Sequence, residues 1–295
     1  MMDAIGYYIF YGINWVITLL PFKILYFLSD LLYVILYHII SYRRKVVSEN
    51  LKNSFPEKTD EERKTIEKKF YHHLADLIIE TFKLTHMSIS SQKKRFTYTN
   101  LEILDKLREE KRDIIAVLGH YNNWEWPTLL PYYLKYKTII IYKPLQNKYF
   151  NNFINSHRSK FGIVLTPTSH VIRDIINYKN NNINTISIFI SDQIPAKGDI
   201  RYWTKFLNQD TAVFTGAGKI AIKYDMAIVF FHIQKVKRGY YNLDIELLHD
   251  HTAGLSENLI TETHVRRLEE IIREKPEYWI WSHRRWKHKK PVENV

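Results

Sequence analysis

From residue 113 onward, short runs of β-branched and apolar residues alternate with longer amphipathic stretches. Six such runs follow one another, and they read DIIAVLGH, TIIIYKP, GIVLTP, TISIFISD, AIVFFHIQKV and YYNLDIELL. Amphipathic segments such as Lys148–Lys160 and Ser169–Lys179 lie between most of them and predict helices. Apolar strands that alternate with helices are typical of an α/β domain with a largely buried sheet. The last two runs are joined through KRGY, which predicts a hairpin and therefore a mixed, mostly parallel sheet flanked by helices.

The amino-terminal 45 residues contain two apolar stretches that predict a helical membrane anchor. No charged residue occurs from Ala4 to Phe22, and a second stretch after Lys23 is interrupted by Asp30 and closes on the basic run Arg43–Lys45. A spanning helical hairpin and two helices lying in one leaflet both fit these lengths. Two buried core helices are the alternative. We favour membrane association, with the basic run and the rest of the chain on the cytoplasmic side.

A long helix is predicted over residues 58–84. Apolar side chains repeat there at helical spacing, and Thr59 with Glu62 has the pattern of a capping box. We therefore divide the chain into a membrane-associated helical segment (1–45), a helical region (46–95) and an α/β domain (96–295).

Charge and cysteine content narrow the classes of function. The 43 basic and 31 acidic residues give a formal net charge of +12, which favours nucleic acid, an anionic membrane surface or a phosphorylated or acidic ligand as partner. The chain has no cysteine, which excludes thiolate nucleophiles, disulfides and cysteine-ligated zinc. It carries no recognisable nucleic-acid-binding module, and nucleic-acid binding would leave the apolar amino terminus unexplained. We therefore expect no nucleic-acid partner.

Polar residues follow several of the predicted strands. His120 follows the first strand, Lys143 the second, and Asp192 and Gln193 the fourth. Because ligands of open α/β sheets gather at the carboxyl ends of the strands, these residues are candidates for one site.

The stretch GHYNNWEW places His120 and Glu125 five positions apart. The spacing differs from the zinc pattern His-Glu-x-x-His, and the chain contains no Gly-x-Ser-x-Gly elbow, so we expect neither a metal site nor an acyl-enzyme serine. General-base chemistry remains, in which a neutral histidine takes a proton from a hydroxyl and a carboxylate on its other nitrogen fixes the tautomer. A strand-end histidine that only satisfies a backbone carbonyl is the commoner case when this pair is taken alone.

The same stretch resembles the His-x4-Asp/Glu block of the lysophospholipid acyltransferase superfamily. Its Asn-Trp-Glu ending is similar to the branch that adds secondary acyl chains to lipid A, the lauroyl and myristoyl acyltransferases. Four further blocks match that branch in order, and they are YKPL at Tyr142–Leu145, Arg158 in NSHRSKFGI, SDQ at Ser191–Gln193 and WSHRRWK at Trp281–Lys287. With the apolar amino terminus, the resemblance covers nearly the whole chain.

The resemblance implies a glycerol-phosphate-acyltransferase-like fold and a role for each matching residue. It implies that His120 is the general base, that Glu125 is its orienting carboxylate, and that Arg158 acts on a phosphate or on developing negative charge. Lys143 stands where the branch has an arginine, so it keeps the charge but loses the bidentate fork.

Five further residues are candidates for binding substrate, each with a structural alternative. Asn123 could shape the pocket, although we favour packing in a helix that begins after His120. Asp192 and Gln193 could touch substrate or hold loops by hydrogen bonds. Arg284 and Arg285 could bind an anionic headgroup or belong to a solvated basic tail.

The resemblance implies an acyltransferase that uses an acyl-carrier-protein thioester and a hydroxyl of a phosphorylated lipid A precursor. We expect direct transfer at the cytoplasmic face of the inner membrane, with no metal and no organic cofactor, because the thioester already carries the activation. Two alternatives stay open at this point. One is an acyltransferase for another lipid acceptor, such as a lysophospholipid or an aminolipid, and the other is a non-catalytic membrane-surface binding protein.

Overall fold

A computed structural model describes residues 2–291, so the outer ends of the predicted segments 1–45 and 96–295 lie outside the described residues. The helices are α1 (Met2–Leu19), α2 (Phe22–Val34), α3 (Arg44–Ser54), α4 (Asp60–Lys83), α5 (Ile89–Arg95), α6 (Leu101–Glu109), α7 (Leu130–Tyr133), α8 (Lys148–Ser159), α9 (Val171–Asn180), α10 (Gly216–Tyr224) and α11 (Glu257–Glu274). The strands are β1 (Phe96–Thr99), β2 (Ile114–Leu118), β3 (Lys137–Tyr142), β4 (Val164–Pro167), β5 (Thr185–Ile190), β6 (Tyr202–Phe206), β7 (Gln209–Val213), β8 (Ala227–Lys237) and β9 (Tyr240–His249).

Seven of these strands form one mixed sheet in the order β1-β9-β8-β2-β5-β3-β4. All neighbouring pairs are parallel except β8 and β9, which form the antiparallel hairpin that the sequence predicts. The prediction of a mixed, mostly parallel α/β sheet is therefore confirmed. Strands β6 and β7 form a separate two-stranded antiparallel sheet that the sequence did not reveal.

Strand β2 lies in the middle of the sheet and is buried along its whole length. Its side chains alternate between two faces, as the period of a strand requires. Ile115 and Val117 join the hydrophobic core that includes α4 and α11, whereas Ile114 and Ala116 join the core that includes α6 and α7. Helices therefore cover both faces, which explains why β2 reads as a continuous apolar run rather than an alternating one.

Helix α4 begins at the predicted capping box. The Glu62 amide donates to the Thr59 hydroxyl at 3.2 Å, and the Thr59 amide donates to Glu62 Oε2 at 2.7 Å, which satisfies two of the free amide groups at the helix start. The helix packs against α2, and its buried face includes the carboxylates of Asp76 and Glu80 among apolar residues. Buried carboxylates need partners, and both have several.

Helices α1 and α2 form the apolar hairpin that the sequence predicts. Helix α2 continues through a π-helical turn at Ile35–Ile39, and Phe22–Ile39 is long and apolar enough, by length and composition, to cross a membrane. Its polar side chains face the protein body, since Ser29 donates to Asp76 at 2.7 Å and Asp30 pairs with Arg238 at 2.6 Å. Large apolar side chains of the hairpin stay exposed, among them Ile5, Tyr8, Ile9, Ile13, Val16, Leu19, Phe27, Leu31, Ile39 and Ile40.

The segment after β2 differs from the prediction of a helix beginning after His120. Tyr121 forms an isolated antiparallel bridge with Trp279, and the Asn122 amide donates to the Tyr278 carbonyl at 3.0 Å. Asn122 has a φ of 54°, so the chain turns sharply there and a 3₁₀ turn begins only at Pro127. Residues 119–126 are consequently a loop, which we call the motif loop.

Candidate active site

His120 lies immediately beyond β2, at the position where the chain passes closest to α11. A Cβ atom on the preceding Gly119 would meet the Leu268 side chain at 2.7 Å and the Asp192 carboxylate at 3.2 Å. Glycine is therefore required there by close packing, not by an unusual φ. This tight crossing fixes where His120 leaves the strand.

Strand pairing brings His120 and Asp192 together. Leu118 of β2 pairs with Ile190 of β5 in parallel register, and each polar residue lies two positions beyond its strand partner. His120 Nδ1 donates to Asp192 Oδ1 at 2.6 Å, and the His120 backbone amide donates to Asp192 Oδ2 at 2.8 Å. The two hydrogen bonds fix both the orientation of the ring and its tautomer, because an ionised carboxylate can only accept.

The tautomer leaves His120 Nε2 with a lone pair at the surface of the site. The Gln193 amide nitrogen lies 3.3 Å from Nε2, and the Trp124 ring packs edge-on against the imidazole with centroids 5.0 Å apart. The His120 side chain keeps 17% of its surface exposed, and a substrate hydroxyl that displaces the Gln193 amide would reach Nε2. The arrangement suits a general base.

Asp192 is the carboxylate that can stabilise a protonated His120. It is buried, and its Oδ2 also accepts a hydrogen bond from the Trp279 indole at 2.7 Å. Burial by itself raises the pKa of Asp192, but the charge of His120 and the hydrogen bonds from His120 and Trp279 outweigh it, and the pKa lies below its ordinary value. Asp192 is therefore held as an anion.

Glu125 is paired with Arg158 and not, as predicted from the sequence, with His120. Arg158 of α8 donates to Glu125 through Nε at 2.9 Å and Nη2 at 2.5 Å, which is a bidentate pair. Burial raises the pKa of Glu125, but the Arg158 guanidinium more than offsets it and the pKa is lowered. Because Asp192 occupies His120 Nδ1, the orienting contact assigned to Glu125 from the sequence belongs to Asp192.

The remaining predicted residues are divided between the surface and the interior. Lys143, at the end of β3, and Arg284 are exposed, whereas Asn123 and Arg285 are buried. Asn123 donates to Glu80 at 2.7 Å, in agreement with the packing role that we favoured over substrate contact. Arg285 is only 2% exposed, so the predicted contact with an anionic headgroup at the surface is replaced by an interior position.

Arg285 lines a small cavity beneath the His120–Asp192 pair. Ser191, Asp192 and His264 are the other polar groups of the cavity, and apolar residues of α11, β7 and β8 complete its wall. Burial lowers the pKa of Arg285 to about 10 and that of His264 to about 4. Within residues 2–291, Nε and Nη1 of Arg285 have no hydrogen-bond partner.

Two residues of the site were not found from the sequence. Trp279 lies outside the motifs we selected, and its indole reaches Asp192 only because Tyr121 and Trp279 pair through their backbones. Glu80 lies within the predicted helix 58–84 as an apparently ordinary surface glutamate. The sequence signal that could have identified Glu80 is that it places a carboxylate on the apolar face of that helix. Within the described chain, no group of three or more histidine, aspartate or glutamate side chains is arranged to hold a metal ion.

The chain is similar to known proteins over most of its length. Residues 1–288 match the family described as bacterial lipid A biosynthesis acyltransferase. The chain is also similar to "Lipid A biosynthesis acyltransferase 2" of Shigella flexneri, with 23% identity over 240 residues, which cover 81% of this chain and 76% of that protein.

Proposed function

Since the chain belongs to the bacterial lipid A biosynthesis acyltransferase family, we propose that it adds a secondary acyl chain to a phosphorylated lipid A precursor. The acyl donor is a thioester of acyl carrier protein, and the acceptor group is a hydroxyl. The observation that carries the proposal is the hydrogen bond between His120 and Asp192, which leaves Nε2 as a base facing the site. An acidic carrier protein also suits the net charge of +12.

The reaction needs one proton acceptor and one site of charge stabilisation. The acceptor oxygen attacks the thioester carbonyl carbon while its proton moves to His120 Nε2. Asp192, hydrogen bonded to Nδ1, stabilises the imidazolium that results. Collapse of the tetrahedral intermediate breaks the carbon–sulfur bond, and the leaving thiolate takes the proton from Nε2, so that an ester and the carrier thiol are formed.

The cations around His120 suit a phosphorylated acceptor. Arg158 is held in place by Glu125 and keeps 21% of its side chain exposed, so it can face a phosphate or the developing negative charge. Lys143 and Arg284 are exposed and can contribute further positive charge. Arg285 is excluded from direct headgroup contact by its burial.

The apolar hairpin supports attachment to the inner membrane, with the site on the cytoplasmic side. Many of its large apolar side chains are exposed, while Ser29 and Asp30 are bonded to the protein body. A helix with its polar face docked on a protein and its apolar face exposed suits insertion into one leaflet. The site would then open toward a lipid acceptor lying in the same leaflet.

The test compares wild-type protein with His120→Ala in purified membranes that are given acyl-carrier-protein thioester and a tetra-acylated lipid A precursor. We expect the variant to lose about 10²–10⁴-fold in rate, the usual contribution of a general base. Thermal unfolding of both proteins shows whether the variant is folded. Wild-type-like transfer by His120→Ala contradicts the base assignment, and transfer to a lysophospholipid but not to the lipid A precursor contradicts the acceptor.

A further inference from the structure

Glu80 of α4 is a fully buried carboxylate that collects hydrogen bonds from three parts of the chain. Its exposed fraction is 0%. Oε1 accepts from the Tyr26 hydroxyl of α2 at 2.8 Å, and Oε2 accepts from the Tyr241 hydroxyl of β9 at 2.8 Å and from the Asn123 amide at 2.7 Å. A buried carboxylate is stable only when it is satisfied in this way, so the three donors and the acid form one unit.

Two contacts from Glu80 reach the motif loop on either side of Glu125. The side chain accepts from Asn123, and the backbone carbonyl of Glu80 accepts from the Trp126 indole at 2.9 Å. The loop has no regular secondary structure of its own between β2 and the turn at Pro127. These contacts therefore tie the backbone on both sides of Glu125 to a rigid helix.

We propose that Glu80 is a positioning residue that fixes the motif loop, and with it the Glu125–Arg158 pair, relative to His120. Its kinetic consequences rest on the acyl transfer proposed above, whereas its effect on the loop does not. Glu80 does not face the site, since its carboxylate is fully buried and is bonded to Asn123, Tyr26 and Tyr241. It acts through the loop alone.

The hydrogen-bond pattern makes glutamine the conservative replacement. In Glu80→Gln the amide oxygen can take the place of Oε2 and accept from both Asn123 and Tyr241. The amide nitrogen then takes the place of Oε1 and donates to the Tyr26 hydroxyl, which can also accept. The motif loop should therefore keep its position in this variant. Glu80→Ala removes the hydrogen bonds of the carboxylate to Asn123 of the loop and to Tyr241 of β9.

Asp76 supplies the matched control one helical turn earlier on α4. It is also buried, and it binds Ser29, Lys235 and Arg238, but it makes no hydrogen bond to the motif loop. Asp76→Ala therefore breaks a buried polar cluster on the same helix face and lowers stability without releasing the loop. A merely structural role for Glu80 predicts that the two alanine variants behave alike.

The experiment measures kcat, KM, thermal unfolding and amide hydrogen exchange of residues 119–126 for wild type, Glu80→Ala, Glu80→Gln and Asp76→Ala. Because misplacement of reacting groups by about 1 Å costs about 100-fold, we expect Glu80→Ala to lower kcat by about that factor, with KM changed less than about threefold. We expect its loop to exchange faster. Glu80→Gln should stay within about threefold of wild type in kcat, and Asp76→Ala should unfold at lower temperature with wild-type kcat and loop exchange.

Three outcomes would overturn the assignment. They are unchanged loop exchange in Glu80→Ala, equal losses of kcat in the two alanine variants, and a loss in Glu80→Gln as large as that in Glu80→Ala. If wild-type protein transfers no acyl chain, the proposed function fails, but the exchange comparison still decides whether Glu80 holds the loop.

Discussion

Asp192 and Glu80 are two buried carboxylates that bond different residues of the motif loop, and their pKa values are shifted in opposite directions. Each accepts three hydrogen bonds. The pKa of Asp192 is lowered, because the charge and hydrogen bonds of His120 outweigh burial. The pKa of Glu80 is raised to about 7, because burial dominates and the nearby Asp76 carboxylate adds to it. Both acids accept the same number of hydrogen bonds, so the number of donors does not decide their charge. The sign of the neighbouring charge decides it.

The difference in pKa matches the different roles of the two acids. Asp192 has to stay ionised so that it can stabilise a histidine that becomes positive during each turnover. Glu80 only has to accept hydrogen bonds from Asn123, Tyr26 and Tyr241, which a neutral acid can also arrange with hydroxyl partners. Removing the charge should then lower kcat strongly at Asp192 and only slightly at Glu80.

The largest expected effect of removing a charge is that of Asp192→Asn. Oδ2 accepts from the His120 amide and the Trp279 indole, so the asparagine oxygen must occupy that position and its NH₂ group must face His120 Nδ1. The ring then has to accept at Nδ1 and carry its proton on Nε2, where it cannot act as a base. We expect kcat to fall by about 10⁴-fold, as in a serine protease triad with the same change. Steady-state acyl transfer by protein of confirmed fold measures it.

Trp279→Phe is the matched control for that change. It removes one donor to Asp192 but leaves Nδ1–H facing an ionised carboxylate, so the tautomer is preserved. A loss in Asp192→Asn no larger than that in Trp279→Phe would contradict the tautomer argument.

An intermediate effect is expected at the Glu125–Arg158 pair, in which a permanent cation acts on a third acid, whose side chain is 15% exposed. In Arg158→Lys the charge stays but the bidentate pair becomes a single contact. A hydrogen bond between charged groups contributes about 1.5–3 kcal/mol, so we expect a loss of about 10–100-fold in kcat/KM. Transfer assays at several acceptor concentrations measure it, and full activity of Arg158→Lys would show that charge alone suffices.

The sheet and the long helix were predictable because their signals are local. Six strands of the main sheet appear as apolar runs, and the Thr59–Glu62 box marks the start of α4. Strand β1 and the β6–β7 hairpin were missed because they are short and carry polar residues such as Thr97, Lys205 and Asp210 at every second or third position. Their pairing comes from tertiary contacts that periodicity does not contain.

The site was predictable as a group of residues but not as a set of contacts. His120 and Asp192 were both placed at strand ends, yet their pairing depends on β2 lying next to β5 in the register that joins Leu118 to Ile190. The family resemblance implied that Glu125, five positions along the chain, orients His120. The left-handed turn at Asn122 and the bridge to the carboxyl-terminal segment instead direct Glu125 to Arg158. Chain proximity predicts a contact only where the backbone between two residues is regular.

The effect that bears least on catalysis is a difference in the pH dependence of stability that separates the two acids by sign. Glu80 has a raised pKa, so its stabilising contribution is fully present below its ordinary pKa of 4.5 and is lost as the pH rises through about 7. The loss is at most about 3 kcal/mol. Glu80→Gln does not titrate, so we expect its stability relative to wild type to increase from pH 5 to pH 8.

Asp192 has a lowered pKa, so its contribution is present above its ordinary value and is lost on acidification, and Asp192→Asn should lose stability relative to wild type as the pH rises. Denaturant unfolding of Glu80→Gln at pH 5 and pH 8, and of Asp192→Asn at pH 3 and pH 5, checks the pair, because Asp192 titrates only below its ordinary pKa of 3.8. Shifts of the same sign would show that the charge of neighbouring groups does not set the two acids apart.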